Sequence, residues 1–255
     1  MFDFRDQHVV ITGAGGGIGR RLVEVFAQGG ARISACDQDA AMLQPLAVAE
    51  KLVFDLRDGP GLRQQLTGLA ERCGPPDIIV SNAGFSRAET LAELSDAAFA
   101  SELDINLTGA FRVIDALLPA MRANGGGAVV AVASVNALAH YGNPAYSAAK
   151  AGLLAYVRAL AVEAGHAGIR ANAVCPGSVM TPAWDHRFAR TPGLREKLVG
   201  HYPLGRLVSA REVAQAVAFL ASPLASGITG IAMPVDAGLG AGNLVFFRDI
   251  LGGAA

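Results

Sequence analysis

Short β-rich apolar runs alternate with longer helical patterns along almost the whole chain, and that alternation leaves few folds open. His8–Thr12 reads as a strand and Gly17–Gln28 as a helix. Arg32–Cys36 reads as the second strand, Lys51–Phe54 as the third, with a helix over Gly61–Glu71, and Asp77–Ser81 as the fourth. Ser95 caps a helix running to about Leu103, and Leu107–Ala123 forms another. Ala128–Ala133 is the fifth strand, Ala145–Glu163 a long helix, Arg170–Val174 the sixth strand, Ala210–Ala221 a helix and Ile231–Val235 the last strand. Strands of near-continuous apolar character are covered on both faces, and strands joined through helices run parallel. The pattern predicts an α/β fold, a doubly wound parallel sheet with helices on both faces.

A length of 255 residues suits one such domain over the whole chain. With 52% hydrophobic and 17% charged residues, a large core is available. The net charge of −1, with no basic block, gives no footprint for nucleic acid. No apolar run is long enough to span a bilayer, and the N-terminus lacks a secretory pattern. Cys36, Cys73 and Cys175 are scattered and odd in number, which fits a reducing, cytoplasmic setting and no zinc site. The long irregular stretch, Gly177–Ser209, reads as an insertion over about 178–208 holding a helix or two.

Thr12-Gly13-Ala14-Gly15-Gly16-Gly17-Ile18-Gly19 follows the first strand and opens the first helix. Glycines there permit a tight turn and let backbone N–H groups approach a pyrophosphate at the positive end of a helix. Asp37 ends the second strand, where an acid can accept hydrogen bonds from both ribose hydroxyls and repel a 2′-phosphate. No Arg or Lys stands in the glycine turn or just after Asp37, so the sequence favours NAD over NADP. Asp55-Leu56 and Asn82-Ala83-Gly84 fall at the carboxyl ends of the third and fourth strands, where open α/β sheets bind ligands.

Tyr146 and Lys150 stand one helical turn apart in Asn143-Pro144-Ala145-Tyr146-Ser147-Ala148-Ala149-Lys150. On a helix their Cβ atoms lie roughly 6 Å apart on one face, and Pro144 suits the start of that helix. A phenol ionises near pH ~10, too high for a base at neutral pH. At ~4 Å and an effective dielectric of ~20, an ammonium attracts the phenolate by about 4 kcal/mol before desolvation is subtracted. The spacing therefore predicts a tyrosine brought towards the useful range.

Taken together these residues resemble the short-chain dehydrogenase/reductase family, whose fold is a Rossmann sheet. The resemblance rests on TGxxxGIG (Thr12–Gly19), Asp37, Asp55-Leu56, Asn82–Gly84, Asn106 in Asn-Leu-Thr-Gly, Ser134, Tyr146 with Lys150, and Pro176-Gly177 with Val179 and Thr181. The GxxxGxG spacing departs from the usual GxGxxG of dinucleotide folds. The resemblance implies an NAD(P)-dependent enzyme acting on CH–OH groups, with Asn106, Ser134, Tyr146 and Lys150 as its catalytic residues. Ser134 would hydrogen-bond the substrate oxygen, and Tyr146 as phenolate would take the alcohol proton while hydride passes to the nicotinamide. Lys150 would lower the phenol's pKa and bind the nicotinamide ribose, and Asn106 would hold a water linking Lys150 to solvent. The cofactor would contact Gly13, Gly15, Gly16, Gly17, Ile18, Asp37, Asp55, Leu56, Asn82, Ala83, Gly84, Tyr146, Lys150, Pro176, Gly177, Val179 and Thr181. No metal is required.

Three segments are expected around the substrate. Asn136–Tyr141 offers Asn136, either a hydrogen-bonding partner for a polyol or a loop-capping amide, with His140 and Tyr141. Phe85, Ser86 and Arg87 follow the fourth strand, and Met180–Tyr202 carries Trp184 and an excess of basic residues. Trp184 would close over substrate or anchor a lid. The expected substrate is a secondary alcohol or ketone, namely a polyol, a sugar or a hydroxy acid. The alternatives are an NADPH-dependent carbonyl reductase and, in another class, a non-catalytic NAD-binding regulator. Small residues at Ala148, Ala149, Gly152, Ala155 and Ala159 would let the Tyr146 helix pack against its twin in a homodimer or homotetramer, as in similar proteins. Phe246-Phe247 in the tail would pack on a neighbouring subunit or over the pocket.

Overall fold

The computed structural model describes residues 2–86 and 90–252. In chain order the elements are β1 His8–Thr12, α1 Gly17–Gln28, β2 Arg32–Asp37, α2 Ala40–Leu43, β3 Glu50–Val53, α3 Gly59–Cys73, β4 Ile78–Ser81 and α4 Asp96–Leu103. They continue with α5 Gly109–Ala123, β5 Gly127–Val132, α6 Pro144–Glu163, β6 Ile169–Pro176, β7 Val179–Met180, α7 Pro182–Arg190 and α8 Leu194–Val199. The last are β8 Val208–Ser209, α9 Ala210–Ala221, β9 Ala232–Val235 and α10 Leu244–Leu251. Seven strands form one sheet in the order β3-β2-β1-β4-β5-β6-β9, every neighbouring pair parallel. A separate two-stranded ribbon joins β7 to β8.

Side chains alternate across each strand, so one strand feeds two cores. Val9 and Ile11 join α1 and α9 on one face, while Val10 joins α3, α5 and α6 on the other. In β5, Ala128, Val130 and Val132 face the first core and Val129 and Ala131 the second. No helix among the described residues is long and apolar enough to cross a membrane.

The strand order reverses between β1 and β4, which opens a crevice at their carboxyl ends, the ligand position of open α/β sheets. Asn82 closes its floor. Its Nδ2 donates to the carbonyls of Thr12 at 3.0 Å and Gly13 at 3.1 Å. The Thr12 hydroxyl oxygen accepts from the N–H groups of Asn82 at 3.1 Å and Ala83 at 3.0 Å.

The predicted elements are all present, with ends moved by one to two residues in most. One correction concerns the helices predicted to stop near Leu103 and restart at Leu107. The chain stays helical from α4 into α5 through a π-helical turn, Asp104–Thr108. Such turns bulge outward by one residue and often mark working sites; this one holds Asn106, fully buried. The insertion contains α7 and α8 with the β7–β8 ribbon at its two ends.

Candidate active site

The glycine turn sits over the crevice. Gly13 has φ +62°, and a Cβ there would lie 2.8 Å from Ala83 Cα, so glycine is required. A Cβ on Gly17 would lie 2.7 Å from Thr181 Cγ2, so the segment after Pro176-Gly177 closes onto the glycine turn. No side chain caps the N-terminus of α1, and its first turn carries no acid. Its N–H donors at Gly17 and Ile18 are therefore open to an anionic group. These features fit a dinucleotide's pyrophosphate.

Asp37 lies at the end of β2, where its Oδ2 accepts from the Gly15 N–H at 3.0 Å. The carboxylate is thus held beside the glycine turn, as a ribose partner must be. Arg20 approaches the same turn: its Nε donates to the Gly15 carbonyl at 2.8 Å. Sequence inspection of the turn itself misses this cation, because it reaches back from the helix. Asp55 is occupied by Arg57, whose Nε donates to it at 3.0 Å, and this partner holds its carboxyl below the usual range. Leu56 packs on Gly109, where a Cβ would meet it at 2.8 Å, and its carbonyl accepts from Arg112 Nη1 at 2.9 Å. The Gly177 N–H donates to Val235 at 3.0 Å, and Val179 pairs with Val208.

Ser134, Tyr146, Lys150 and Asn106 converge beyond the carboxyl ends of β4 and β5. Burial pushes the Tyr146 phenol up to about 12, against the nearby Ser134 hydroxyl, which favours the phenolate. Lys150 is 2% exposed; burial pushes its ammonium down to about 8. Its Nζ donates to the Val132 carbonyl at 2.9 Å and lies 5.6 Å from the centre of the Tyr146 ring. In the chain by itself the phenol therefore moves opposite to the direction that the Tyr146–Lys150 spacing predicts. The reason is that burial disfavours both charged forms, and Glu102 adds negative charge to the same space.

Asn106 Oδ1 accepts from the Phe85 N–H at 3.1 Å. Its Nδ2 faces the carbonyls of Phe85 at 2.7 Å and Glu102 at 3.0 Å. A Cβ on Gly84 would lie 2.9 Å from Asn106 Oδ1 and 3.3 Å from Lys150 Nζ, so glycine leaves room between the amide and the ammonium.

Asn136 does the work of a brace. Its Nδ2 donates to the Gly142 carbonyl at 2.8 Å and the Ser147 hydroxyl at 3.2 Å. Its N–H donates to Ser134 Oγ at 3.1 Å, and Ser134 can donate back to Oδ1 at 3.3 Å. The amide nitrogen is thus engaged by the loop in this structure. Tyr141 is 42% exposed, and its hydroxyl reaches the Leu239 carbonyl at 3.5 Å. Trp184 packs on Phe188, with ring centres 5.2 Å apart, and under the Arg187 guanidinium at 5.0 Å. Phe85 is 41% exposed beside the site, while Arg87 lies outside the described residues.

Two buried groups escaped the sequence reading. Glu102 precedes Asn106 by one helical turn and is 4% exposed. Tyr202, 1% exposed, accepts from the Ser178 N–H at 2.9 Å and so anchors the start of the insertion.

A nucleotide cradle and a Ser–Tyr–Lys–Asn constellation at the switch point of a parallel sheet define a nicotinamide-linked oxidoreductase. The chain belongs to the short-chain dehydrogenase/reductase family. The family model described as enoyl-(acyl carrier protein) reductase matches residues 13–240. An uncharacterised oxidoreductase of Schizosaccharomyces pombe is 38% identical over 244 residues, covering 95% of this chain and 94% of the relative. The 3-oxoacyl-[acyl-carrier-protein] reductase FabG of Thermotoga maritima is 34% identical over 241 residues, covering 90% and 96%. A crystal structure of an oxidoreductase of the short-chain dehydrogenase/reductase family from Burkholderia thailandensis superposes with a TM-score of 0.91 at 42% identity, covering 97% of this chain and 98% of that one.

Proposed function

We propose that the protein interconverts a secondary alcohol and its ketone, using NAD. The observation that carries this is Asp37, a carboxylate bound to the Gly15 N–H beside the pyrophosphate end of α1. A fixed negative charge there suits a ribose diol and repels a 2′-phosphate. The bound nicotinamide supplies the hydride acceptor or donor. Ser134 holds the substrate oxygen by its hydroxyl, oriented by the Asn136 brace. Tyr146 takes the alcohol proton in oxidation and returns it to the ketone oxygen in reduction. Lys150 stabilises the phenolate and binds the cofactor ribose, and Asn106 places a water on the path to solvent. The insertion over 178–208, with Trp184, acts as the lid that excludes water.

The preferred substrates are polyols, sugars or hydroxy acids. A second reading has a specific basis. Arg20 brings a guanidinium to the glycine turn, which favours a 2′-phosphate, and relatives include 3-oxoacyl-[acyl-carrier-protein] reductases. In that reading the protein is an NADPH-dependent reductase of a ketone. Turnover of polyols, sugars, hydroxy acids and a 3-oxoacyl thioester, each with NAD(H) and NADP(H), separates the two. Greater kcat/KM with NADPH on the thioester would discard the first.

Self-association through α6 in a cytoplasmic homodimer or homotetramer is part of the proposal. Ala148, Ala155 and Ala159 are exposed on that helix, next to Val162 at 81%, and Phe111 edges onto Tyr156 nearby. Ala149 is buried and Gly152 packs on Leu107, so the interface would use the outer residues of the small-residue series. Sedimentation showing monomer alone would remove this part.

A further inference from the structure

A buried carboxylate lies just past the last strand and takes no part in the steps above. Asp236 follows β9 and is 8% exposed. Its Oδ1 accepts from the Gly238 N–H at 3.0 Å and its Oδ2 from the Gly240 N–H at 2.7 Å. Its backbone carbonyl accepts from the Leu239 N–H at 3.1 Å. The carboxylate thus folds the residues after it into a tight turn around itself. Ala237 within that turn has φ +50°, a conformation that alanine rarely adopts and that persists only where its surroundings impose it.

Three segments of the candidate site rest on this turn. The first is the start of the insertion. The Gly177 N–H donates to the Val235 carbonyl at 3.0 Å, and a Cβ on Gly177 would lie 3.2 Å from Asp236 Cα. The second is the far side of the insertion. The Leu204 N–H donates to the Ala237 carbonyl at 3.2 Å, and the buried Tyr202 hydroxyl accepts from the Ser178 N–H at 2.9 Å. The third is the loop of Tyr141, whose hydroxyl reaches the Leu239 carbonyl at 3.5 Å. Between Ser178 and Tyr202 run α7 and α8, and none of their described side chains is buried. The insertion is held at its base and exposed along its body, and the hold passes through one carboxylate.

We propose that Asp236 is a positioning residue of this site: the turn that its carboxylate shapes clamps both sides of the insertion's base, and the Tyr141 loop with them, to the carboxyl edge of the sheet. That the clamped body closes over substrate rests on the reading of 178–208 as a lid.

Trp184 is the one tryptophan of the chain and lies on α7, against Phe188 and Arg187 of the same helix, so its fluorescence reports on the insertion. The expected result in Asp236→Ala is a nanosecond segmental component of the Trp184 anisotropy decay about twofold larger than in wild type. Asp236→Asn, which keeps one acceptor oxygen, should show a smaller rise. An unmoved decay in either variant that retains the wild-type thermal transition overturns the proposal. Should neither variant fold, Tyr202→Phe decides, since it removes the hydrogen bond to Ser178 and keeps the buried ring. A rise there upholds the clamp, and an unmoved decay refutes it. These measurements need neither substrate nor cofactor. With an alcohol that the enzyme turns over, the same variants should raise its KM about fivefold and leave kcat and the dinucleotide KM within about twofold. A Trp184 response without that rise in KM would sink the lid reading and leave the clamp standing.

Discussion

Lys150 gives its ammonium hydrogen to the carbonyl oxygen of Val132, at 2.9 Å, across the gap between α6 and the end of β5. That bond ties α6 to the sheet. It also leaves Tyr146 without a direct partner in Lys150, so burial governs the phenol. A group raised to about 12 is a proton donor at neutral pH, and in the proposed reaction it would protonate a ketone oxygen. Its use as a base depends on added positive charge beside it.

Alcohol oxidation should therefore rise with pH across the neutral and alkaline range, by up to about tenfold per pH unit in kcat/KM. Ketone reduction should not rise. Replacing Tyr146 by Phe should lower turnover by at least about 10²-fold and leave dinucleotide binding, followed by fluorescence titration, largely intact. Undiminished turnover in that variant rules out Tyr146 as the acid–base group.

Asn136→Ala should loosen the Ser134 loop. It removes hydrogen bonds to Gly142, Ser147 and Ser134, at a cost of about 1–3 kcal/mol in unfolding free energy. Turnover should fall while the KM for dinucleotide stays near its wild-type value. A variant with normal kcat would show that the brace has no bearing on Ser134.

Asp37→Ser should shift cofactor preference towards NADP, by about tenfold or more in the ratio of kcat/KM values, because it removes a fixed charge opposite a 2′-phosphate. Arg20→Ala in the same background should reverse part of the gain. If preference is indifferent to residue 37, the ribose assignment is wrong.

Stability should decline in mild acid through His8. The residue is 1% exposed, and its Nδ1 meets the Gly74 carbonyl at 3.1 Å, so that nitrogen carries the proton of a neutral ring. Its Nε2 then accepts from the Ser34 hydroxyl at 2.8 Å. Burial, with Arg32 adding to it, holds the folded-state pKa below the ordinary value of 6.5. Above that value both folded and unfolded chains carry a neutral ring, and the contribution is complete. As pH falls below it the unfolded chain takes up the proton first, and stability is lost at no more than about 1.4 kcal/mol per pH unit. Thermal unfolding from pH 8 to pH 5 should show this loss in wild type and a flatter profile in His8→Gln. Equal profiles would acquit His8.

Much of the site was legible because its residues sit where local rules place them. Glycine spacing after an apolar strand marks the turn at Gly13, and an acid ending the next strand marks Asp37. The Tyr146–Lys150 spacing marks one helix face. Glu102 was not legible, since a glutamate on a helix is ordinarily solvated and only packing of α4 on α6 buries it. Arg20 escaped for a similar reason: it belongs in sequence to the helix, and in space to the turn. Asn136 is equally suited by sequence to substrate or loop, and only its partners show the amide nitrogen engaged by the loop.

The sequence by itself determined the alternation of strand and helix, the parallel sheet and the chemical types gathered at its carboxyl edge. These follow from periodicity and backbone geometry, which act over a few neighbouring residues. Only the tertiary structure decided which groups are buried together, which way Lys150 turns its charge and whether the phenol moves up or down. Those outcomes depend on desolvation and on charges brought near by distant segments, quantities that no local pattern contains.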